Sequence, residues 1–230
     1  MTAAEVHHQH RDVSGGWLRP AVFGATDGLV SNFALIAGVA GSNVAAHTVT
    51  LAGLAGLVGG AFSMATGEYI SVRSQNESMA AEIEVERREL HINPHAEMQE
   101  LAQLFASRGV DVDLAGRVAA QISRNPERAL DVHAREELGV NPSALPDPWV
   151  AAISSLLFFA VGALVPLVPY LVGVTSVWTS AVLALGALFL TGAVTSRFTT
   201  RTWWYSGVRQ MAVGAAAALV TSLIGRGFGS

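Results

Sequence analysis

Three side chains that can bind a cation lie inside or at the edge of apolar stretches of this 230-residue chain: Asp27, Met64 and Glu68. An unpaired carboxylate buried among apolar groups is costly, so an acid at such a position indicates a functional site. Glu68 follows Met64 by four residues and therefore shares its helix face. Two carboxylates and a thioether suit a first-row metal such as Fe(II) better than an alkali ion. The alternative is that Met64 serves packing and Glu68 is an interfacial acid.

A second set of candidate ligands falls within the charged segment 73–147. Its members lie three or four residues apart, so each pair shares one helix face: Glu86 with Glu89, Glu97 with Glu100, and His133 with Glu137. Folded together, they would form an oxygen-rich site with one imidazole, appropriate to Fe(II), Mn(II), Co(II) or Zn(II). The alternative is a solvated acidic face with ordinary surface ion pairs.

The composition indicates which elements must position these ligands. The chain is 51% hydrophobic and 14% charged, and segment 73–147 alone holds 22 of the 32 charged side chains. With a mean hydropathy of +0.40, this pattern predicts an integral membrane protein with one charged insert. The net charge of −4 and the acidic insert favour cationic partners and argue against nucleic acid. The absence of cysteine excludes disulfides, thiolate metal sites and thiol catalysis.

Long uncharged runs predict five membrane-spanning helices. The 40 residues between Asp27 and Glu68 carry no charge, and a span needs about 20 residues, so two spans fit here. Another uncharged run is divided by Gly173, and a shorter one follows. The predicted spans cover residues 20–44, 47–72, two segments within 149–196, and 208–224. The predicted domains are a polar tail at 1–19 with His7, His8 and His10, spans one and two at 20–72, the insert at 73–147, and spans three to five at 148–230.

The insert is predicted to be helical throughout. Nothing interrupts the helical pattern from Ser71 to Leu90, so its first helix extends span two. Asn-Pro pairs and single glycines, which commonly interrupt helices, divide the rest of the segment into shorter helices. The predicted helices cover 73–91, 95–108, 113–123 and 127–138.

The arginines predict the orientation, because the chain contains no lysine. Eight arginines lie in the insert, three between Arg197 and Arg209, and two in the tail, whereas the hairpins near Asn43 and Gly173 have none. By the positive-inside rule, the N-terminus and the insert are cytoplasmic. Five spans then place the C-terminus on the opposite side.

Three sequence runs stand out together with the acidic insert. They are FGATDGLV at 23–30, SMATGEY at 63–69 and LVPLVPY at 164–170. With the insert, these runs resemble the vacuolar iron transporter family, in its nodulin-like and bacterial branch, and the resemblance covers nearly the whole chain from Arg19. Members of that family are five-span homodimers that move Fe(II), and often Mn(II), out of the cytosol in exchange for protons, along a path at the dimer interface.

The resemblance assigns roles to individual positions. The pore aspartate of the family falls on Asp27 and its pore methionine on Met64. Gly56 replaces a further pore glutamate, and Glu68, in a Gly-Glu-Tyr setting, is the acid that can compensate. The family's paired insert methionines are replaced by His133 and Ala134. Its cytoplasmic metal-binding glutamates fall on Glu86, Glu89, Glu97, Glu100 and Glu137.

The resulting expectation is an all-α integral membrane protein with five transmembrane helices and a helical cytoplasmic insert between spans two and three. It is expected to be a homodimeric metal/proton antiporter without a prosthetic group, exporting iron, manganese or both across a prokaryotic plasma membrane or into a vacuole or organelle. The rivals are a membrane-anchored di-iron oxidase and a metal sensor or buffer. Di-iron bundles supply Glu-x-x-His pairs, and no histidine in the insert has a glutamate three residues before it.

Overall fold

The computed structural model of the protein describes residues 16–229, and this part of the chain is almost entirely helical. Within that part of the chain there are eight α-helices, one 3₁₀ turn and no strand. Five of the helices are long and apolar enough to cross a membrane. This confirms the predicted all-α fold with five spans. The α-helices are α1 Leu18–Gly41, α2 Ala46–Ile92, α3 Pro94–Ser107, α4 Val112–Ile122, α5 Pro126–Glu136, α6 Pro148–Leu171, α7 Val177–Thr195 and α8 Trp203–Phe228. His7, His8 and His10 lie outside the described residues.

The described chain divides into two compact units. The insert unit comprises residues 71–146, and the membrane unit comprises the described residues before and after it. The helix α2 contributes to both, because it continues for 47 residues without a break. The predicted helical extension of span two is therefore present.

Close approach of α1 and α6 builds the centre of the membrane unit. A Cβ atom at Gly24 would lie only 2.7 Å from the carbonyl oxygen of Ser155, and one at Gly28 would collide with the backbone of Phe159. Gly162 of α6 meets the backbone of Ala25 in the same way. Small residues on both helices thus allow backbone contact. This contact fixes the segment of α1 that carries Asp27.

The helix of the fifth span is longer than the apolar run that predicts it. It runs Trp203–Phe228 and extends beyond the predicted span of 208–224 at both ends. Its first residues, Trp203 to Tyr205, are amphipathic aromatics that suit a membrane interface. Arg209 and Arg226 are tolerated within the helix, since a long basic side chain can extend its charge toward water. The loop before α8 is correspondingly short.

Two helices of the insert unit, α4 and α5, begin at residues whose side chains satisfy free backbone N–H groups. The Asp111 carboxylate accepts hydrogen bonds from the backbone N–H groups of Asp113 and Leu114, both at 3.1 Å. The side-chain oxygen of Asn125 accepts a hydrogen bond from the backbone N–H of Arg128. The unit has a small apolar core, which holds α3, α4 and α5 in place. Its buried residues are Leu101, Ala115, Ala119, Ala129, Leu130, Ala134 and Val140.

Candidate metal sites

A cavity of about 320 Å³ opens inside the membrane unit between α1, α2 and α6. Asp27 and Met64 both line it, so the structure brings two of the three predicted membrane-level ligands to one space. Glu68, one helical turn beyond Met64, does not line the cavity. The lining residues are Phe23, Asp27, Ser31, Asn32, Leu35, Gly56, Gly60, Ser63, Met64 and Phe159.

Asp27 is half-buried in this cavity without a counter-charge. Its carboxylate makes no ion pair or hydrogen bond with any other residue that the structure describes. The hydroxyl of Ser31 donates to the backbone carbonyl of Asp27 at 2.6 Å, which leaves the carboxylate itself available. A carboxylate in apolar surroundings without a partner is suited to bind a cation or a proton.

The insert unit contains a compact cluster of carboxylates around one imidazole. His133 is fully buried, and its Nδ1 lies 2.8 Å from Oε1 of Glu137 and 3.0 Å from Oε1 of Glu86. Glu97 is more distant, with its Oε2 at 3.8 Å from the same nitrogen. One ligand atom from each of Glu86, His133 and Glu137 lies within 4.8 Å of the others. Metal–ligand bonds of about 2.0–2.2 Å would fit this spacing around a single ion.

The electrostatics of the cluster favour a cation. Burial raises the pKa of Glu86, Glu97 and Glu137 above the ordinary glutamate value, and mutual repulsion among the carboxylates raises each pKa further. His133 partly offsets these shifts, because its positive form lowers the pKa of each neighbouring carboxyl. Oε1 of Glu86 and Nε2 of His133 are both buried without a hydrogen-bond partner. A bound divalent ion would offset the repulsion between the carboxylates.

Two of the predicted insert ligands lie outside this cluster. The Oε2 atom of Glu89 accepts a hydrogen bond from Nδ2 of Asn93 at 2.9 Å. Glu100 is exposed, and it acts on the cluster through its charge, which contributes to the raised pKa values. The four remaining predicted residues, Glu86, Glu97, His133 and Glu137, therefore form the candidate centre.

One residue in the membrane cavity was missed by the sequence analysis. Asn32 is 2% exposed and lines the cavity with Asp27. The available signal was an amide within an otherwise apolar span. Polar side chains buried in spans pair with one another or mark a functional path, and this applies to amides as well as acids.

Five apolar helices, an uncompensated carboxylate between them, and a carboxylate–imidazole cluster in an insert define a multi-pass membrane protein with two candidate metal sites. A sequence profile described as the VIT family matches residues 18–226, and the chain belongs to this family. It is similar to Vacuolar iron transporter 1 of Oryza sativa subsp. japonica, with 34% identity over 94% of this chain and 88% of the rice protein. It is 38% identical to Vacuolar iron transporter of Acanthamoeba castellanii, over 96% of this chain and 82% of that protein. Vacuolar iron transporter 1 of Arabidopsis thaliana is 32% identical over 95% of this chain and 88% of its own length.

Proposed function

We propose that this protein exports divalent iron, manganese or both from the cytoplasm in exchange for protons. The observation that carries the proposal is Asp27, a carboxylate without a counter-charge in a membrane-level cavity that Met64 also lines. Relatives over most of the chain are named iron transporters, which supports iron as cargo. The same ligand types also accommodate Mn(II), and Co(II) or Zn(II) as weaker candidates.

The proposed path has two parts with different tasks. The insert cluster of Glu86, Glu97, His133 and Glu137 captures the metal, and Asp27 and Met64 pass it through the membrane unit. Glu68, which follows Met64 along α2, is proposed as an entry ligand. A carboxylate must lose its proton to bind a metal, so one residue can exchange the two cargoes. No prosthetic group is required for this exchange.

The proposed orientation has the N-terminus and the insert in the cytoplasm and the C-terminus on the opposite side. It rests on the arginines, eight of which fall in the insert. The proposed location is a prokaryotic plasma membrane, with a vacuolar or organellar membrane as the alternative. In either location, the same orientation makes the protein an exporter from the cytoplasm.

Two other functions are less well supported. A di-iron oxidase would need a second set of ligands, whereas the described residues form one cluster with a single imidazole. A membrane-anchored sensor or buffer would use the insert alone and would not need Asp27 between its helices. The names of the relatives also favour transport over both alternatives.

A homodimer is part of the proposal, because the cavity is incomplete in one chain. Phe23 is 60% exposed, and Ser31 and Ser63 on the cavity wall are exposed as well. The Asp27 carboxylate and the Ser63 hydroxyl would be costly if they opened directly to lipid. A second copy facing the first would cover them and would double the ligands available to one ion.

We expect a cysteine at Ser63 to cross-link two chains through a disulfide. The chain contains no cysteine, so the variant Ser63→Cys reports one position only. The matched control is Val182→Cys on α7, a residue that is 72% exposed and does not line the cavity. Oxidation in mild detergent should give a covalent dimer for Ser63→Cys and monomer for Val182→Cys. The reverse pattern, or active protein that is strictly monomeric, would contradict a shared path.

Reconstituted vesicles provide the test of transport. Vesicles that contain the protein should accumulate Fe(II) and Mn(II), but not Ca(II), while the pH of the lumen rises as protons leave. Protein-free vesicles are the control. Metal uptake without a change in lumen pH would remove proton coupling and retain transport. Absence of uptake would favour the sensor or the oxidase.

A further inference from the structure

Asn32 is held in a defined orientation within the membrane unit. It lies on α1 and is 2% exposed. Its Nδ2 donates a hydrogen bond of 2.6 Å to the backbone carbonyl of Ala163 on α6. The amide plane is therefore fixed, and the direction of its oxygen is fixed with it.

The oxygen of this amide has no partner. Among the buried polar atoms that lack a hydrogen bond in the described part of the chain, Oδ1 of Asn32 is the one whose residue lines the membrane cavity. It lies beside Gly56 of α2, where a Cβ atom would be 2.9 Å away. Gly56 also lines the cavity. A buried acceptor without a partner is unfavourable, which indicates that something else binds it.

The position of Asn32 differs from that of Asp27 along the same helix. Five residues at 1.5 Å each separate the two by about 7.5 Å along the axis of α1. Gly56 precedes Met64 by eight residues on α2, so the amide oxygen lies at the end of the cavity away from Met64. The cavity thus has the carboxylate of Asp27 at one depth and the neutral amide oxygen of Asn32 at another.

We propose that Oδ1 of Asn32 is a ligand for the transported cation, at a second position beyond Asp27 and Met64. This inference rests on the proposed transport function. An amide carbonyl is a hard oxygen donor that suits Mn(II) and Fe(II). Because it is neutral, it binds the cation less strongly than a carboxylate and involves no proton. It stabilises the ion after it leaves Asp27 without trapping it.

The test measures initial Fe(II) and Mn(II) uptake into vesicles, normalised to folded protein. Asn32→Ala should lower kcat/KM by about 10- to 100-fold, the range associated with the loss of a metal-supporting group. The matched control is Thr221→Val. Thr221 of α8 donates a 2.6 Å hydrogen bond to the backbone carbonyl of Ala34 on α1, away from the cavity lining. It therefore removes a comparable bond between helices without removing a candidate ligand.

A second variant separates a ligand from a packing residue. In Asn32→Ala/Gly56→Ser, the hydroxyl of the new serine enters the space left by the amide oxygen, because a Cβ at Gly56 is directed there. The other close neighbour of that Cβ is the end of the flexible Leu35 side chain, which can shift. We expect the double variant to recover uptake several-fold over Asn32→Ala.

Three results would overturn the inference. These are uptake by Asn32→Ala within twofold of the wild type, a loss no greater than that of Thr221→Val, and a greater loss that Gly56→Ser does not restore. The wild-type protein serves as the test of transport itself. If it moves no metal, the proposed function fails, whereas active wild-type protein with an unaffected Asn32→Ala variant removes only the second ligand.

Discussion

Replacing Asp27 with asparagine should reduce metal uptake to the level of protein-free vesicles while leaving membrane insertion and folding intact. A charged carboxylate costs about 3 kcal/mol at the centre of a membrane helix, so removing its charge favours insertion if it changes it at all. The amide keeps the shape of the side chain but can neither release a proton nor supply a negative ligand. The measurement is initial Fe(II) or Mn(II) uptake with an imposed pH gradient, normalised to inserted protein.

Asp147→Asn provides the matched control for this substitution. Asp147 caps the start of α6 by accepting hydrogen bonds from the backbone N–H groups of Trp149 and Val150. Asparagine is equally effective at this position of a helix, so uptake should stay at the wild-type rate. A third variant, Glu68→Gln, tests the second acid of the first two spans. If Asp27→Asn transports normally and Glu68→Gln does not, Glu68 rather than Asp27 couples protons to metal.

The membrane-level candidates could be predicted from the sequence because recognising them requires no knowledge of the three-dimensional structure. A single acid in a long uncharged run is visible in the sequence without knowledge of any neighbour, and Asp27 is such a residue. Asn32 was less visible, since an amide does not change the charge count on which the search for candidate ligands rested. Its importance depends on which of its two polar atoms is paired, and only the contact with Ala163 of α6 decides that.

The insert shows why helical spacing selects candidates without selecting the site. The i, i+3 and i, i+4 pairs each share one face of one helix. Whether that face meets another helix depends on how each helix is rotated about its axis within the folded unit. Glu86 faces His133, whereas Glu89, on the same helix, is bonded to Asn93. The spacing alone could not distinguish these two glutamates.

A divalent metal should stabilise the protein through the insert cluster. Mn(II) at about one hundred times its dissociation constant contributes about 2.7 kcal/mol by mass action. For a chain of this size, that corresponds to a rise in Tm of about 5–10 °C. The rise should be absent from Glu86→Gln/Glu137→Gln. Hydrogen exchange in α5 should slow on addition of Mn(II) in the wild type and not in the double variant, which assigns the effect to the insert.

The pH dependence of this stabilisation has a definite sign. Burial raises the pKa of Glu86, Glu97 and Glu137 in the folded state. Their contribution to stability in the metal-free protein is therefore complete below the ordinary glutamate pKa of 4.5 and is lost as the pH rises through the raised values. Metal competes with protons for these groups, so the rise in Tm should grow over the same pH window.

The variant Glu86→Gln/Glu137→Gln should lose the metal-induced rise in Tm, but its Tm without metal should be higher than that of the wild type. Together, these two results would distinguish a metal site from a solvated acidic patch. Near neutral pH, Glu86→Gln/Glu137→Gln removes partly buried negative charges that repel one another, so the metal-free Tm should rise while the response to Mn(II) disappears. The matched control is Glu82→Gln/Glu127→Gln, which makes the same charge change at exposed positions of α2 and α5. It should leave both quantities near their wild-type values. If the control and the cluster variant lose the response equally, the stabilisation arises from general charge neutralisation, because only a specific centre depends on which two glutamates are replaced.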